Sequence, residues 1–178
     1  MIRLFTAIQL PESLRTRLSL LQGGVPGARW SPVANLHLTL RFVGDVRETV
    51  GNDIDDVLSE LRSPALQLTL KGVGEFGGRD PHALWAGVAP NEALMRLAAK
   101  IESALQRLGL PAETRKYTPH VTLARLRDAP IGKVREFLST HSLFDSGPFA
   151  VRGFALYSSH PSSNGSLYRV ERTYALDG

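Results

Sequence analysis

The stretch His37-Leu38-Thr39-Leu40 is repeated later in the chain as His120-Val121-Thr122-Leu123. Both copies read histidine, apolar residue, threonine, leucine. Because side chains alternate between the two faces of a β-strand, the histidine and threonine share one face and the two aliphatic residues share the other. Each copy is therefore predicted to be a strand that buries its aliphatic face and presents an imidazole and a hydroxyl to a cleft.

Two such strands facing each other would place two histidines and two threonines around one small anionic group. Imidazole titrates near neutral pH, so His37 and His120 together suit acid–base chemistry on a phosphodiester. Thr39 and Thr122 would then donate hydrogen bonds to the phosphate oxygens. The alternative is a pair of ordinary half-buried strands, each with a histidine that serves no chemistry. Repetition of the whole phrase argues against this alternative.

The likeness between the two regions extends beyond the motifs. Asp45 and Asp128 follow their respective histidines at the same distance. Aspartate is a common N-cap, so we expect each of them to lie at the turn into the next helix.

The remaining sequence predicts helices and strands around the two motif strands. The spacing of apolar residues predicts a helix that starts at Pro11 and further helices over 48–62, 91–108 and 131–140. Strands are predicted over 2–10, 36–43, 65–73, 84–88, 119–126, 149–158 and 167–175. Adjacent strands indicate antiparallel sheets, so we expect an α+β fold. The repeat further predicts that residues 1–178 form a single domain of two similar lobes with a central cleft.

The composition limits the classes of function. The absence of cysteine excludes disulfides, thiolate nucleophiles and thiolate metal sites. The net charge is +4, and all but four of the 21 basic residues are arginine, whose planar fork matches phosphate. An arginine-favouring genome explains that bias equally well. No apolar run has membrane-spanning length and the N-terminus lacks the features of a signal peptide, so we expect a cytoplasmic location and no membrane partner.

The chain resembles the 2H phosphoesterases along nearly its whole length. Within them it is most similar to the bacterial RNA 2′,3′-cyclic phosphodiesterases, also called 2′-5′ RNA ligases of the LigT type. The segments that carry the resemblance are 3–8, 35–44, 119–125, 154–159, and Tyr168 with 174–176. The resemblance implies a pseudo-two-fold, bilobal fold, in which each lobe is an antiparallel sheet with helices outside and the motif strands line the central cleft.

The resemblance also implies an activity, the hydrolysis of a terminal RNA 2′,3′-cyclic phosphate to a 2′-phosphate. In it, His37 would be the general acid for the leaving 3′ oxygen and His120 the base for water. Weak, reversible 2′-5′ RNA ligation is expected as well, with an RNA 5′-hydroxyl in place of water. Two other phosphodiester substrates stay open, namely ADP-ribose 1″,2″-cyclic phosphate and 2′-5′ oligonucleotides. A module that binds RNA ends without turnover is the alternative from another class.

Substrate-binding residues are predicted around the second motif and among the aromatic residues. Arg125 and Tyr117 flank the motif, and the resemblance puts the arginine near the phosphate. Strict alternation would point Arg125 away from His120, so a bulge or the strand end must redirect it. The aromatic residues that could stack on a base are Phe5, Phe42, Trp30 and Tyr117, although such residues in strands are also typical of a core.

Neither a metal nor a nucleotide cofactor is expected. The motif histidines lack the nearby carboxylates or thiols of a zinc site, and there is no phosphate-binding G-x-x-x-x-G-K-[ST] loop. The predicted partners are RNA with 2′,3′-cyclic phosphate ends or small cyclic nucleotides. The protein is expected to be a monomer.

Overall fold

Residues 1–163 and 165–177, which the computed structural model describes, form two antiparallel sheets and four α-helices. The strands are β1 Ile2–Gln9, β2 Ala28–Trp30, β3 His37–Val46, β4 Leu66–Phe76, β5 Ala83–Val88, β6 His120–Leu126, β7 Asp145–Val151, β8 Gly153–Ser162 and β9 Gly165–Ala175. The helices are α1 Glu12–Ser19, α2 Glu48–Glu60, α3 Glu92–Arg107 and α4 Ile131–Thr140. None of the helices in these residues is both long and apolar enough to cross a bilayer.

The two motif strands belong to different sheets. The first sheet has the strand order β3-β1-β8-β9, and the second has the order β2-β6-β5-β4-β7. All neighbouring strands in both sheets are antiparallel. The α+β prediction is therefore confirmed. The strands β3 and β6 lie near one another, which brings the two motifs together where the sheets meet.

The two halves of the chain share one succession of elements. The first half runs β1-α1-β3-α2, apart from the short β2, and the second half runs β5-α3-β6-α4. In each half, a strand after the second helix joins the sheet of the other half. Thus β4 pairs with β5, and β8 pairs with β1. Each sheet consequently contains strands from both halves, an exchange that the sequence did not predict.

The main core lies on the aliphatic side of the motif strands. Leu38 and Val121, which alternate with the motif histidines and threonines, are both fully buried. Helix α3 contributes Leu97 and Ile101 to the same core. It starts at the N-cap Asn91, whose Oδ1 accepts a 2.9 Å hydrogen bond from the backbone N–H of Leu94. The apolar halves of the two repeats thus anchor both strands, as the alternation predicted.

The predicted strand over 149–158 is wrong, because the structure divides it between the two sheets. Strand β7 ends at Val151 and pairs with β4, whereas β8 starts at Gly153 and pairs with β1. Only Arg152 separates the two strands. Alternation of apolar residues cannot reveal such a crossover, because both strands bury one face in the same core.

Two other expectations fail at the ends of elements. Asp45 does not cap α2, whose N-cap is Arg47. The carboxylate of Asp45 instead accepts two hydrogen bonds from Arg3, at 3.0 and 3.1 Å. Asp128 does not cap α4, whose N-cap is Pro130. Its φ of 51° lies in the left-handed region, which aspartate tolerates in turns. Aspartate is favoured in both caps and turns, so the sequence did not distinguish the two.

Candidate active site

One cleft receives both motifs. His37, Thr39, His120 and Thr122 all line a cavity of about 590 Å³ between the sheets. A second cavity of about 640 Å³ adjoins it and is also lined by Thr39 and His120. The four residues predicted to act on one group therefore face one space.

Each motif histidine is held by the backbone carbonyl two residues before it. Nδ1 of His37 lies 2.6 Å from the carbonyl oxygen of Asn35, and Nδ1 of His120 lies 2.7 Å from that of Thr118. A carbonyl oxygen can only accept, so Nδ1 is the donor in both rings. The Nε2 atoms are left to exchange protons. The Thr39 hydroxyl donates a 2.9 Å hydrogen bond to the Nε2 of neutral His37.

Aromatic rings enclose the His37 imidazole. The ring centroid of Phe5 lies 5.0 Å from that of His37, and Tyr168 makes an edge contact at 5.3 Å. Phe5 in turn stacks on Tyr157 at 5.0 Å, with an interplanar angle of 4°. Phe5 is only 4% exposed, although it lines the cleft. Its ring packs against His37 and two tyrosines, and stacking of Phe5 on a base stays a prediction.

The other imidazole has similar surroundings. The ring of Phe76 makes an edge contact with His120 at 4.9 Å, and Trp85 lies 6.2 Å away. Neither residue was predicted from the sequence to border the site. Both belong to the β4–β5 pair, so only the tertiary fold shows that they border the motif.

Burial shifts the titration of both imidazoles in the same direction. Burial lowers the pKa of His37, the hydrogen bond to Asn35 opposes this shift, and a positive charge on His120 lowers the pKa further. Burial also lowers the pKa of His120; the Thr118 carbonyl opposes this, and the charge of Arg125 adds to it. Both rings are therefore mainly neutral at pH 7 before an anion binds.

Equivalent β-bulges turn two further side chains into the cleft. The register between β5 and β6 shifts by one residue at Leu123, and that between β1 and β3 shifts at Leu40. An extra residue reverses the faces to which the following side chains point. As a result Phe42 and Arg125, which follow their histidines at the same distance, both line the cleft. The bulge at Leu123 is the kind of irregularity expected from the sequence to turn Arg125 towards the side of His120.

The predicted binding residues occupy different environments. Phe42 is 47% exposed between the two cavities, and Arg125 is also exposed. Trp30 is half-buried, lines the cleft and packs against Phe137, with ring centroids 5.7 Å apart. Tyr117 donates a 2.8 Å hydrogen bond from its hydroxyl to the Thr39 carbonyl, and burial raises its pKa. Of the aromatic candidates, Phe42 has the largest free surface.

An ion pair fixes the loop that carries Tyr117. Arg41 pairs with Glu102 on α3, and its Nη2 donates a 2.6 Å hydrogen bond to the Pro111 carbonyl. Arg41, assisted by hydrogen bonds from Gln106 and the Glu113 backbone, lowers the pKa of Glu102 to about 2. The bulge at Leu40 leaves Arg41 on the helix side of β3. This contact joins β3, α3 and the loop before β6.

Positive charge dominates the lining of the cleft. The cleft is lined by four arginines, Arg3, Arg29, Arg115 and Arg125. Among the described residues, no aspartate or glutamate lines it. Across the part of the chain that the structure describes, no group of three or more histidines, aspartates or glutamates is arranged to hold a metal ion. The cleft thus has the charge of an anion-binding site, with donors suited to oxygen atoms.

The chain matches a known protein family over most of its length. The sequence profile of the 2′-5′ RNA ligase superfamily matches residues 10–162. The chain therefore belongs to the 2′-5′ RNA ligase superfamily, the family of 2H phosphoesterases that the two motifs resemble.

Relatives that match almost the whole chain share one name. It is 30% identical to the RNA 2′,3′-cyclic phosphodiesterase of Archaeoglobus fulgidus, over 97% of this chain and 99% of the relative. It is 31% identical to the RNA 2′,3′-cyclic phosphodiesterase of Escherichia coli, over 98% and 96%. A crystal structure of Escherichia coli LigT complexed with 3′-AMP superimposes with a TM-score of 0.80 and 29% identity, over 99% of both chains.

Proposed function

We propose that this protein hydrolyses terminal RNA 2′,3′-cyclic phosphates to 2′-phosphates, with His37 and His120 as the acid–base pair. The observation that carries the proposal is the cleft itself, in which both imidazoles are held through Nδ1 and line one cationic space with Thr39 and Thr122. The names of the relatives support the substrate, and the complex of LigT with 3′-AMP shows that a related protein binds a nucleotide.

The proposed reaction is one displacement at phosphorus. The oxygen of a water molecule attacks while its proton passes to Nε2 of His120. The bond from phosphorus to the 3′ oxygen breaks, its electron pair stays on that oxygen, and His37 donates the Nε2 proton to it. The 2′ oxygen keeps the phosphate. Burial lowers the pKa of both imidazoles, so the assignment of His37 as the acid and His120 as the base rests on the resemblance to the family.

The hydroxyl groups of the two threonines bind the phosphate, and for Thr39 this depends on the protonation of His37. When Nε2 of His37 is protonated it cannot accept, so the Thr39 hydroxyl is released to donate to a non-bridging phosphate oxygen. Thr122 donates from the opposite strand. Hydrogen bonds at these positions stabilise the negative charge that grows on the oxygens in the transition state. Arg125 contacts the same phosphate, and Phe42 stacks on the base of the terminal nucleoside.

Ligation uses the same groups in the same roles. An RNA 5′-hydroxyl replaces water, His120 removes its proton, and a 2′-5′ phosphodiester forms. The cyclic phosphate supplies the energy, so no nucleotide cofactor is needed. Hydrolysis dominates because water is the more abundant nucleophile.

The decisive experiment uses an oligonucleotide that ends in a 2′,3′-cyclic phosphate, with and without EDTA. We expect conversion to a 2′-phosphate at the same rate in both, because the groups assigned to the reaction are imidazoles and hydroxyls. The end formed is identified by chromatography against 2′- and 3′-phosphate standards. Release of the 3′-phosphate, or loss of activity in EDTA, would contradict the proposed mechanism.

The same assay separates the alternatives. Faster turnover of ADP-ribose 1″,2″-cyclic phosphate, or of a 2′-5′ oligonucleotide, would assign the site to that substrate. Tight binding of the cyclic end without product would assign it to an RNA-binding module.

The activity should have an acidic pH optimum in kcat/KM. The free enzyme needs one imidazolium and one imidazole, and burial first of all lowers the pKa of both rings. Above both pKa values the imidazolium is lost, so kcat/KM should peak below about pH 6.5, the ordinary pKa of histidine, and fall with rising pH. A maximum above pH 7.5 would contradict this assignment.

A charge variant tests the cause of this shift. In Arg125→Gln the positive charge next to His120 is gone, so the pKa of His120 should rise and the pH profile should move to higher pH. The matched control is Arg127→Gln, which removes the same charge from an exposed residue outside the cleft. The control should leave the profile where it is in the wild type.

A further inference from the structure

Two arginines of the cleft lie directly opposite each other on neighbouring strands. Arg29 on β2 and Arg125 on β6 are register partners, and both are exposed. Like charges placed directly opposite across a strand pair destabilise a sheet. Within the described residues, neither arginine forms an ion pair. The pair therefore has the arrangement of a site in which the counter-charge comes from a ligand.

The other two arginines of the cleft are already compensated. Arg3 pairs with Asp45 at 3.0 Å, and Arg115 lies 3.5 Å from a carboxylate oxygen of Glu113. The excess positive charge of the cleft is thus concentrated on Arg29 and Arg125, apart from any charge on the histidines.

The position of Arg29 is shaped by the other sheet. Its guanidinium lies against Gly165 at the start of β9, where a Cβ would come within 3.3 Å of Nη2. The φ of Gly165 is +105°, so the backbone there also favours glycine. The guanidinium therefore fits closely between β2 and the β8–β9 hairpin and faces the same cleft as the motif histidines.

The reacting phosphate cannot neutralise both Arg29 and Arg125. A cyclic phosphodiester carries a single negative charge, which is already fewer than the two positive charges of Arg125 and one imidazolium. Arg29 lies on β2, which is separated from β5 by β6. Its guanidinium lines the cleft next to Gly165 and is available there to a second anionic group.

We propose that Arg29, next to Arg125, binds a second phosphate of the RNA, the one attached to the 5′ oxygen of the nucleoside that carries the cyclic phosphate. This inference rests on the proposed function. It assigns to Arg29 the preference for an RNA chain, or for a 5′-phosphorylated nucleotide, over a plain nucleoside 2′,3′-cyclic phosphate. Guanidinium–phosphate hydrogen bonds are charge-assisted and can be bidentate, which gives such a contact both strength and direction.

The test compares two substrates that differ by one phosphate. Adenosine 2′,3′-cyclic phosphate and its 5′-phosphorylated form are assayed with the wild type and with Arg29→Gln. The wild type should have a kcat/KM about tenfold higher for the 5′-phosphorylated substrate, as expected for one charge-assisted contact. In Arg29→Gln this ratio should fall to about one. The preference of the wild type should also weaken as salt increases.

The matched control is Arg127→Gln, which loses the same charge outside the cleft and should keep the wild-type ratio. If Arg29→Gln lowers kcat/KM equally for both substrates, Arg29 acts on the reacting phosphate and the inference is wrong. An unchanged ratio in Arg29→Gln also overturns it, because the second phosphate is then bound elsewhere.

A binding measurement keeps this inference separate from the proposed function. Calorimetry with 3′-AMP and with adenosine 3′,5′-bisphosphate requires no turnover. The bisphosphate should bind the wild type about tenfold more tightly than 3′-AMP, and Arg29→Gln should abolish the difference. Equal affinities in the wild type would overturn the second phosphate site even if the protein is active. Absence of hydrolysis with this difference intact would overturn only the proposed activity.

Discussion

Replacing either His37 or His120 by alanine is expected to lower kcat on an RNA 2′,3′-cyclic phosphate by about 10²- to 10⁴-fold. Each variant removes one of the two groups that move protons across the phosphorus centre. KM should change much less, because Thr39, Thr122 and Arg125 remain in the cleft to hold the phosphate. Initial rates at saturating substrate measure the effect on kcat.

A double variant that combines His37→Ala and His120→Ala tests whether the two imidazoles act in the same step. Both imidazoles serve one displacement, so removing the second after the first should cost far less than the product of the single effects. His141→Ala is the matched control, because His141 follows α4 and contacts Phe137 rather than the cleft. Near-normal turnover in either single variant, with folding verified by circular dichroism, would refute the two-histidine mechanism.

The second large effect is expected from the hydroxyl groups. Thr39→Val and Thr122→Val keep the size and β-branched shape of the side chain but lose the donor. Each should lower kcat by about 10²- to 10³-fold, as for the loss of one donor to a transition-state oxyanion. Steady-state kinetics on the same oligonucleotide measures the loss.

A third threonine serves as the control for these variants. Thr173 is exposed near the end of β9 and does not line the cleft, so Thr173→Val makes the same change outside the cleft. It should retain wild-type turnover. If Thr39→Val and Thr122→Val also retained it, the hydroxyls would have no part in stabilising the transition state.

Local pattern predicted much of the fold. Helix α4 has the predicted bounds of 131 and 140, and β6 lies within the predicted strand over 119–126. These elements were predictable because their apolar spacing and end signals are contained in the segment itself. The placement of both histidines on strands that face one cleft followed from alternation and the repeat.

Features that depend on distant partners were not predictable. Phe76 and Trp85 border His120 only because β4 and β5 pair beside β6, and no sequence pattern records that pairing. Arg29 was missed for a similar reason, since β2 has only three residues and no hydrophobic period. The close packing of Phe5 against His37 and Tyr157 was also not predictable, because an aromatic residue in a strand has the same signature whether it packs against a ligand or against its neighbours.

The exchange of β4 and β8 between the sheets has a mechanical consequence. The chain passes from one sheet to the other after each half, so a hinge cannot open the halves like a clamshell without breaking rows of backbone hydrogen bonds. The two imidazoles lie on different sheets, and the core that buries both Leu38 and Val121 holds these sheets together, so we expect the distance between the imidazoles to be set before the substrate arrives. An enzyme built in this way is preorganised: we expect it to gain its rate from a rigid slot, and to lose alignment when sheet pairing is damaged at a remote edge.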